Sequence, residues 1–192
     1  MKNEIKNVIR HSISVKEQIY CNDKLLKTIE DIVEIIVNCY KNNGKVLLCG
    51  NGGSAADAQH ISAELSGRFY IDRPPLFAEA LHVNSSYVTA VANDYSFDVI
   101  YARLVQAMGM ENDILIGITT SGNSTNIIKA FETAKGRGMT TIAFTGIDGG
   151  KIKELSDYLI NIPSTDTPRV QESHIMVGHI ICELVEKIIF KN

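Results

Sequence analysis

The chain reads as an α/β protein: a five-stranded parallel sheet flanked by helices and preceded by a helical pair. Three observations predict it. Short apolar runs bounded by turn residues suit strands buried on both faces, and segments with helical periodicity alternate with them. Two polar, glycine-containing loops each follow an apolar run and open a helix, the arrangement of a βα unit.

Taken in order, residues 5–20 and 25–40 place apolar side chains at helical spacing. In the second segment Leu25, Leu26, Ile29, Ile32, Val33, Ile36, Val37 and Tyr40 form one stripe, which Ile35 widens. Two helices therefore precede the sheet, and an opening helical pair outside a sheet favours packing on a partner subunit. Residues 45–49 follow Gly44 as the first strand, and residues 76–83 form the second after Pro74-Pro75, which can only precede it or sit at its edge. Helices are expected at 86–92 and 99–106, a third strand at 114–118, a helix at 127–137, a fourth strand at 140–144, a short helix at 152–156 and a fifth strand at 158–162. The last helix spans 170–190; its apolar positions nearly encircle it, so it should be buried on most sides.

At 192 residues the chain is most simply a single domain, large enough to bury roughly 70% of its extended surface. With 19 basic and 22 acidic side chains the net charge is −3, and no Lys/Arg block builds a nucleic-acid or membrane patch. No window approaches the roughly 20 apolar residues of a membrane span, and the first residues lack the apolar core of a signal peptide. A cytoplasmic protein without nucleic-acid or membrane partners is expected. Cys21, Cys39, Cys49 and Cys182 show no C-x-x-C spacing, against a zinc ribbon or a disulfide framework, and Cys49 should be buried.

The chemistry concentrates in three places. Gly50-Asn51-Gly52-Gly53-Ser54 joins the first strand to a helix whose start Ser54 and Asp57 resemble as a capping box. Such a turn aims free N–H groups and partial positive charge outward, a seat for an anion and most simply a phosphate. The spacing Gly50-x-Gly52-x-x-Ala55, with Glu79 downstream, also fits a dinucleotide fingerprint. The second loop, Thr119-Thr120-Ser121-Gly122-Asn123-Ser124, lowers that alternative, because a nicotinamide coenzyme needs no hydroxyl cradle at the third strand. A helix cap accounts for Ser124 but not for Thr119, Thr120 and Ser121 together. Both loops fall at the carboxyl ends of strands, where they could hold the two ends of one phosphorylated molecule.

His60 and Glu64 share one helix face at i, i+4. On the final helix Gln171 and His179 lie eight residues apart, roughly 80° around the axis. Brought together, two histidines, a glutamine and a carboxylate make an N/O site for zinc or a similar divalent metal. His174 reads as a core histidine satisfied by a hydrogen bond; His11 and His82 read as structural or exposed.

These residues carry a resemblance. The run from Gly50 to His60 with Glu64, then Ala92-Asn93-Asp94-Tyr95, then Thr120-Ser121-Gly122-Asn123-Ser124, then Arg169-Val170-Gln171-Glu172 with His174 and His179, resembles the bacterial phosphoheptose isomerases of the sugar isomerase (SIS) fold across almost the whole chain. The resemblance implies a single SIS domain over 1–192, a five-stranded parallel sandwich whose N-terminal helices, 1–43, pack within a homotetramer. It implies conversion of sedoheptulose 7-phosphate to D-glycero-D-manno-heptose 7-phosphate for surface polysaccharides. Glu64 and His179 would be the catalytic pair. Asn51, Gly52, Gly53, Ser54, Glu64, Asn93, Asp94, Thr119, Thr120, Ser121, Ser124 and Gln171 would hold substrate. One Zn2+ per subunit would be bound by His60, Glu64, Gln171 and His179, in a catalytic, structural or regulatory role. The chain departs from the pattern at Pro168, where relatives carry Ala or Asp, and around Glu79 and His82 in strand two. Two further functions fit the fold: an isomerase of a shorter sugar phosphate, and a non-catalytic module of the type that binds the replication initiator DnaA. A pure scaffold, however, has no need for Glu64 and His179.

Overall fold

The computed structural model describes residues 1–190. Helices α1 (Lys2–Tyr20) and α2 (Asp23–Lys41) precede β1 (Val46–Gly50) and α3 (Gly53–Ser66). Then come β2 (Ala78–Ala80), α4 (Ser85–Asp94), a 3-10 turn, α5 (Ile100–Met108), β3 (Ile114–Ile118) and α6 (Thr125–Gly136). The chain ends with β4 (Thr140–Thr145), a second 3-10 turn (Lys151–Leu155), β5 (Tyr158–Asn161) and α7 (Thr167–Phe190). The expected α/β class holds: five strands pair in parallel in the order β2-β1-β3-β4-β5.

The strand sequences explain the layers. Alternate side chains of one strand point to opposite faces, and both faces here are apolar. Val46, Leu48, Ile114, Ile116, Ile118, Ile142 and Phe144 pack with buried residues of α2, α3 and α7. Leu47, Cys49, Leu115 and Ala143 pack with buried residues of α5 and α6 on the other face. The two clusters make a three-layer sandwich. The order β2-β1-β3 means that the chain winds one way from β1 and the other way from β3, which opens a crevice at the carboxyl ends of these two strands.

Several boundaries differ from the sequence reading. Strand two is three residues long, because the backbone leaves the ladder once Leu81 N–H has bonded Leu48 O and Val83 N–H has turned back to Ala80 O. Helix α7 begins at Thr167, three residues early, with Pro168 in its first turn, where a missing N–H costs nothing. It is not buried on all sides: Ile180, Leu184 and Ile188 are exposed in the single chain. In α2, Leu26 is likewise exposed, while Leu25, Ile29, Ile32, Val33, Ile36 and Val37 are buried. Helix α1 buries only Val15 and Ile19 and leaves Ile5, Val8, Ile9 and Ile13 about half exposed. Cys39, Cys49 and Cys182 are buried thiols and Cys21 is exposed; none is paired among the described residues. No helix among the described residues is long and apolar enough to cross a membrane.

Candidate active site at the β1/β3 crevice

The first loop turns at Gly52, whose φ of 56° is natural only to glycine, and α3 starts at once with Gly52 as its N-cap. The expected Ser54–Asp57 capping box is therefore corrected. Ser54 is buried within the first turn, and the helix start carries no side-chain cap bond, since the glycine turn itself supplies the backbone geometry. Gly52 and Gly53 are exposed, leaving the free N–H end of α3 open to an anion. A Cβ on Gly53 would stand 2.6 Å from Gln171 Nε2, so the glutamine amide of α7 lies directly against the loop.

The second loop follows β3. Ser124 is the N-cap residue of α6, yet its hydroxyl caps nothing; it shares a 3.1 Å hydrogen bond with Thr119 Oγ1. Ser121 Oγ accepts from Asn123 N–H at 3.2 Å, and the turn is made by Gly122 at a φ of 65°. The two loops are tied across the crevice by a reciprocal amide pair: Asn51 Nδ2 donates to Asn126 Oδ1, and Asn126 Nδ2 donates to Asn51 Oδ1, each at 2.9 Å. The buried Asn126 has no signature of its own in the sequence.

A third loop completes the cradle, and sequence reasoning missed it. Gly146 N–H donates to Thr120 O at 2.9 Å, Ile152 N–H to Gly122 O at 3.0 Å, and Lys151 N–H to Asn123 Oδ1 at 3.1 Å. Thr120, Ser121, Asn123, Gly146, Ile147 and Asp148, with Ser164, Thr165 and Thr167, line an open cleft of about 250 Å³. The signal was present as Gly146, Gly149 and Gly150 clustered after an apolar run.

Beside the first loop, α3 crosses α7. Gly178 permits the approach, since a Cβ there would meet Ile61 Cδ1 at 2.5 Å. The crossing brings His60, Glu64 and His179 together with one ligand atom of each within 4.8 Å of the others. His60 Nε2 lies 3.2 Å from Glu64 Oε1, and the two imidazole rings meet edge to face at 5.0 Å. His179 Nε2 is buried with no partner, and Phe69 packs 5.7 Å from its ring. Two imidazoles, one with its buried ring nitrogen unpartnered, and a carboxylate form a donor set that fits zinc.

Asp57 lies one turn before His60 on α3, with Oδ2 buried and unpartnered; burial pushes its carboxyl up to about 6, with His60 opposing. Asn93 and Asp94 end α4, exposed and bonded to each other at 2.9 Å; among the described residues neither bonds to the cradle loops. His174 is fully buried, with Nε2 3.1 Å from Thr145 O, as expected of a core histidine. His82 is half-buried, its Nδ1 unpartnered, and burial lowers its pKa; His11 is exposed.

Comparison with known proteins agrees with this geometry. The SIS domain family matches residues 12–146. A phosphoheptose isomerase of Aneurinibacillus thermoaerophilus is 52% identical over 192 residues, covering 100% of this chain and 97% of that protein. One of Clostridium acetobutylicum is 54% identical over 190 residues, covering 99% and 97%. The solved phosphoheptose isomerase GmhA of Neisseria gonorrhoeae superposes with a TM-score of 0.91 at 40% identity, covering 97% of this chain and 98% of that one. A family match over most of the chain, full-length relatives at half identity and the shared three-layer fold all agree: this chain belongs to the phosphoheptose isomerase family of SIS-domain proteins.

Proposed function

We propose that the chain is an aldose–ketose isomerase that interconverts sedoheptulose 7-phosphate and D-glycero-D-manno-heptose 7-phosphate, the step that feeds heptose to surface polysaccharides. One observation carries the reading: a carboxylate and an imidazole, Glu64 and His179, converge on α3 and α7, the two helices whose Gly53 and Gln171 meet at the first loop.

Moving a carbonyl from C2 to C1 takes a proton from C1 and returns one to C2, while a proton passes between the two oxygens through an enediol. Glu64 and His179 divide this work, one at carbon and one at oxygen; the His179 Nε2, without a protein partner, faces either the substrate or, in the zinc-loaded protein, the metal. The open N-terminus of α3 at Asn51, Gly52 and Gly53, with Ser54 in its first turn, and the hydroxyls of Thr119, Thr120, Ser121 and Ser124 hold the phosphate and sugar ends. Asn93 and Asp94 add contacts to substrate. Hydroxyls bind phosphate without fixing it by charge, which lets product leave. Zinc, one ion per subunit, would be held by His60, Glu64, Gln171 and His179 and would supply Lewis-acid polarisation of the carbonyl. Gln171 sits between the loop and α7, where it can serve both substrate and metal.

The whole chain acts as one domain, with residues 1–43 packing between subunits of a cytoplasmic homotetramer. The half-exposed Ile5, Val8, Ile9 and Ile13 of α1 support that assembly.

Incubation with sedoheptulose 7-phosphate, followed by NMR in metal-stripped and zinc-resupplied samples, tests the reading. Aldose phosphate should form, and Glu64→Gln should lower turnover by roughly 10²- to 10⁴-fold with the circular dichroism spectrum unchanged. Wild-type turnover in that variant removes Glu64 from the chemistry. No product in either sample transfers the chain to another sugar phosphate or to a binding role.

A further inference from the structure

Between α3 and β2 the chain crosses the end of α7 and is held there by a buried ion pair. Arg73 and Glu186 leave 2% and 3% of their side chains exposed. Glu186 accepts four hydrogen bonds: Oε2 from Phe69 N–H at 3.0 Å and Arg73 Nε at 3.1 Å, Oε1 from Tyr70 N–H at 2.9 Å and Ile71 N–H at 3.1 Å. Arg73 spends its remaining nitrogens on the C-terminal end of α3, Nη2 donating to Glu64 O at 2.8 Å and Nη1 to Leu65 O at 2.7 Å.

A buried ion pair is a poor device for stability, since well-packed apolar side chains of similar volume commonly hold a fold as well. Here the pair's partners are informative. Arg73 grips the carbonyl of Glu64 itself, while Glu186 stands seven residues, two turns, beyond His179 on the same face of α7. Glu186 also fixes the N–H of Phe69, whose ring packs on His179. One ion pair thus links the backbone of one member of the cluster to the helix and the packing of another.

We infer that Arg73 and Glu186 are positioning residues that set the separation of Glu64 and His179, and with it the affinity of the cluster for a divalent metal; the inference rests on reading His60, Glu64 and His179 as the active centre. Fork geometry matters more than charge here, because the three donors of a lysine sit on one nitrogen and do not reproduce the separate Nε, Nη1 and Nη2 that meet the carboxylate and the two helix carbonyls.

The test is a Co2+ titration followed by visible absorption, together with separate kcat and KM, on the wild type, Arg73→Lys, and the volume-conserving neutral pair Arg73→Met with Glu186→Gln, which keeps an acceptor for the Phe69–Ile71 N–H groups. Both variants should bind Co2+ about 10- to 100-fold more weakly, the range typical of outer-shell partners, and lose kcat with KM little changed. The neutral pair keeps the comparison valid if the lysine variant folds poorly. A folded variant that binds Co2+ within about twofold of wild type and retains kcat overturns the inference alone. A wild-type cobalt spectrum that survives His179→Ala overturns the reading of the site and the inference with it.

Discussion

Acid should unlock the site from beneath, through His174. This side chain is fully buried on α7, its Nε2 bonded to Thr145 O, its Nδ1 without a partner, and its ring edge-on to Phe144. Burial lowers its pKa from the ordinary 6.5 of a histidine to about 4, the bond to Thr145 opposing only in part. Between those two values the unfolded chain binds a proton that the folded chain does not, so stability is full above pH 6.5 and falls as pH drops towards 4. The loss comes to about 2 kcal/mol at pH 5 and about 3 kcal/mol at pH 4, a sizeable share of a total of about 5 to 15 kcal/mol. Its structural target is specific. Thr145 ends β4, and the next residue, Gly146, donates to Thr120 O in the cradle.

His174→Gln keeps a donor of similar reach and removes the titration. At pH 8 the variant should be equal to or somewhat less stable than the wild type in urea unfolding. At pH 5 it should have gained about 2 kcal/mol relative to the wild type, with the protein concentration held fixed so that assembly does not shift the comparison. Parallel pH profiles for the two proteins would show that His174 carries no such burden.

Other perturbations separate the site from the scaffold. Gly53→Ala sets a Cβ 2.6 Å from the Gln171 amide, the far end of a flexible side chain, so Tm should stay near wild type while kcat/KM falls by about 10²-fold through misplaced groups. Gly122→Ala, at a φ of 65° with its Cβ 2.1 Å from Gly149 O, should instead abolish folding; a soluble, native-like variant would refute that reading of the loop junction. Asn126→Asp leaves Asn51 facing an acceptor on both sides and puts negative charge beside the anion seat, so KM for the sugar phosphate should rise at least about tenfold with kcat less affected. Ile9→Lys with Ile13→Lys should reduce the assembly mass in light scattering, and an unchanged mass would move the interface elsewhere.

How much of this is legible in the sequence depends on the range over which each feature is encoded. Strands buried on both faces announce themselves as apolar runs, and β1, β3, β4 and β5 fall where those runs lie. The edge strand β2 does not, because three paired residues leave the surrounding apolar stretch at 76–83 free to turn away. Periodicity also cannot tell a core-facing stripe from one awaiting a second subunit, and so Ile180, Leu184 and Ile188 read as interior while the single chain exposes them. The site shows the same divide. His60 and Glu64 are visible as a pair because one helix face holds both. Nothing local joins His179 to them; that link is made by the α3/α7 crossing at Gly178.

The groups that hold the site in shape are harder still to see. Asn51 and Asn126 are 75 residues apart, and Arg73 and Glu186 are 113 apart. Each reads locally as an ordinary polar residue of a loop or helix. Their meaning comes from burial, since a buried amide or charge must find partners, and the partners it finds fix the register of whole elements. In this chain the His60/Glu64 pair therefore follows a short, readable spacing on α3, whereas the residues that set distances between elements are recognisable only once the sheet has brought distant segments together. Mutations at the first kind should remove chemistry from an intact fold. Those at Arg73 and Glu186 should leave chemistry present but misaligned, with metal affinity and kcat falling together while KM stays close to wild type, whereas those at Asn51 and Asn126, which tie the two loops, should act on KM.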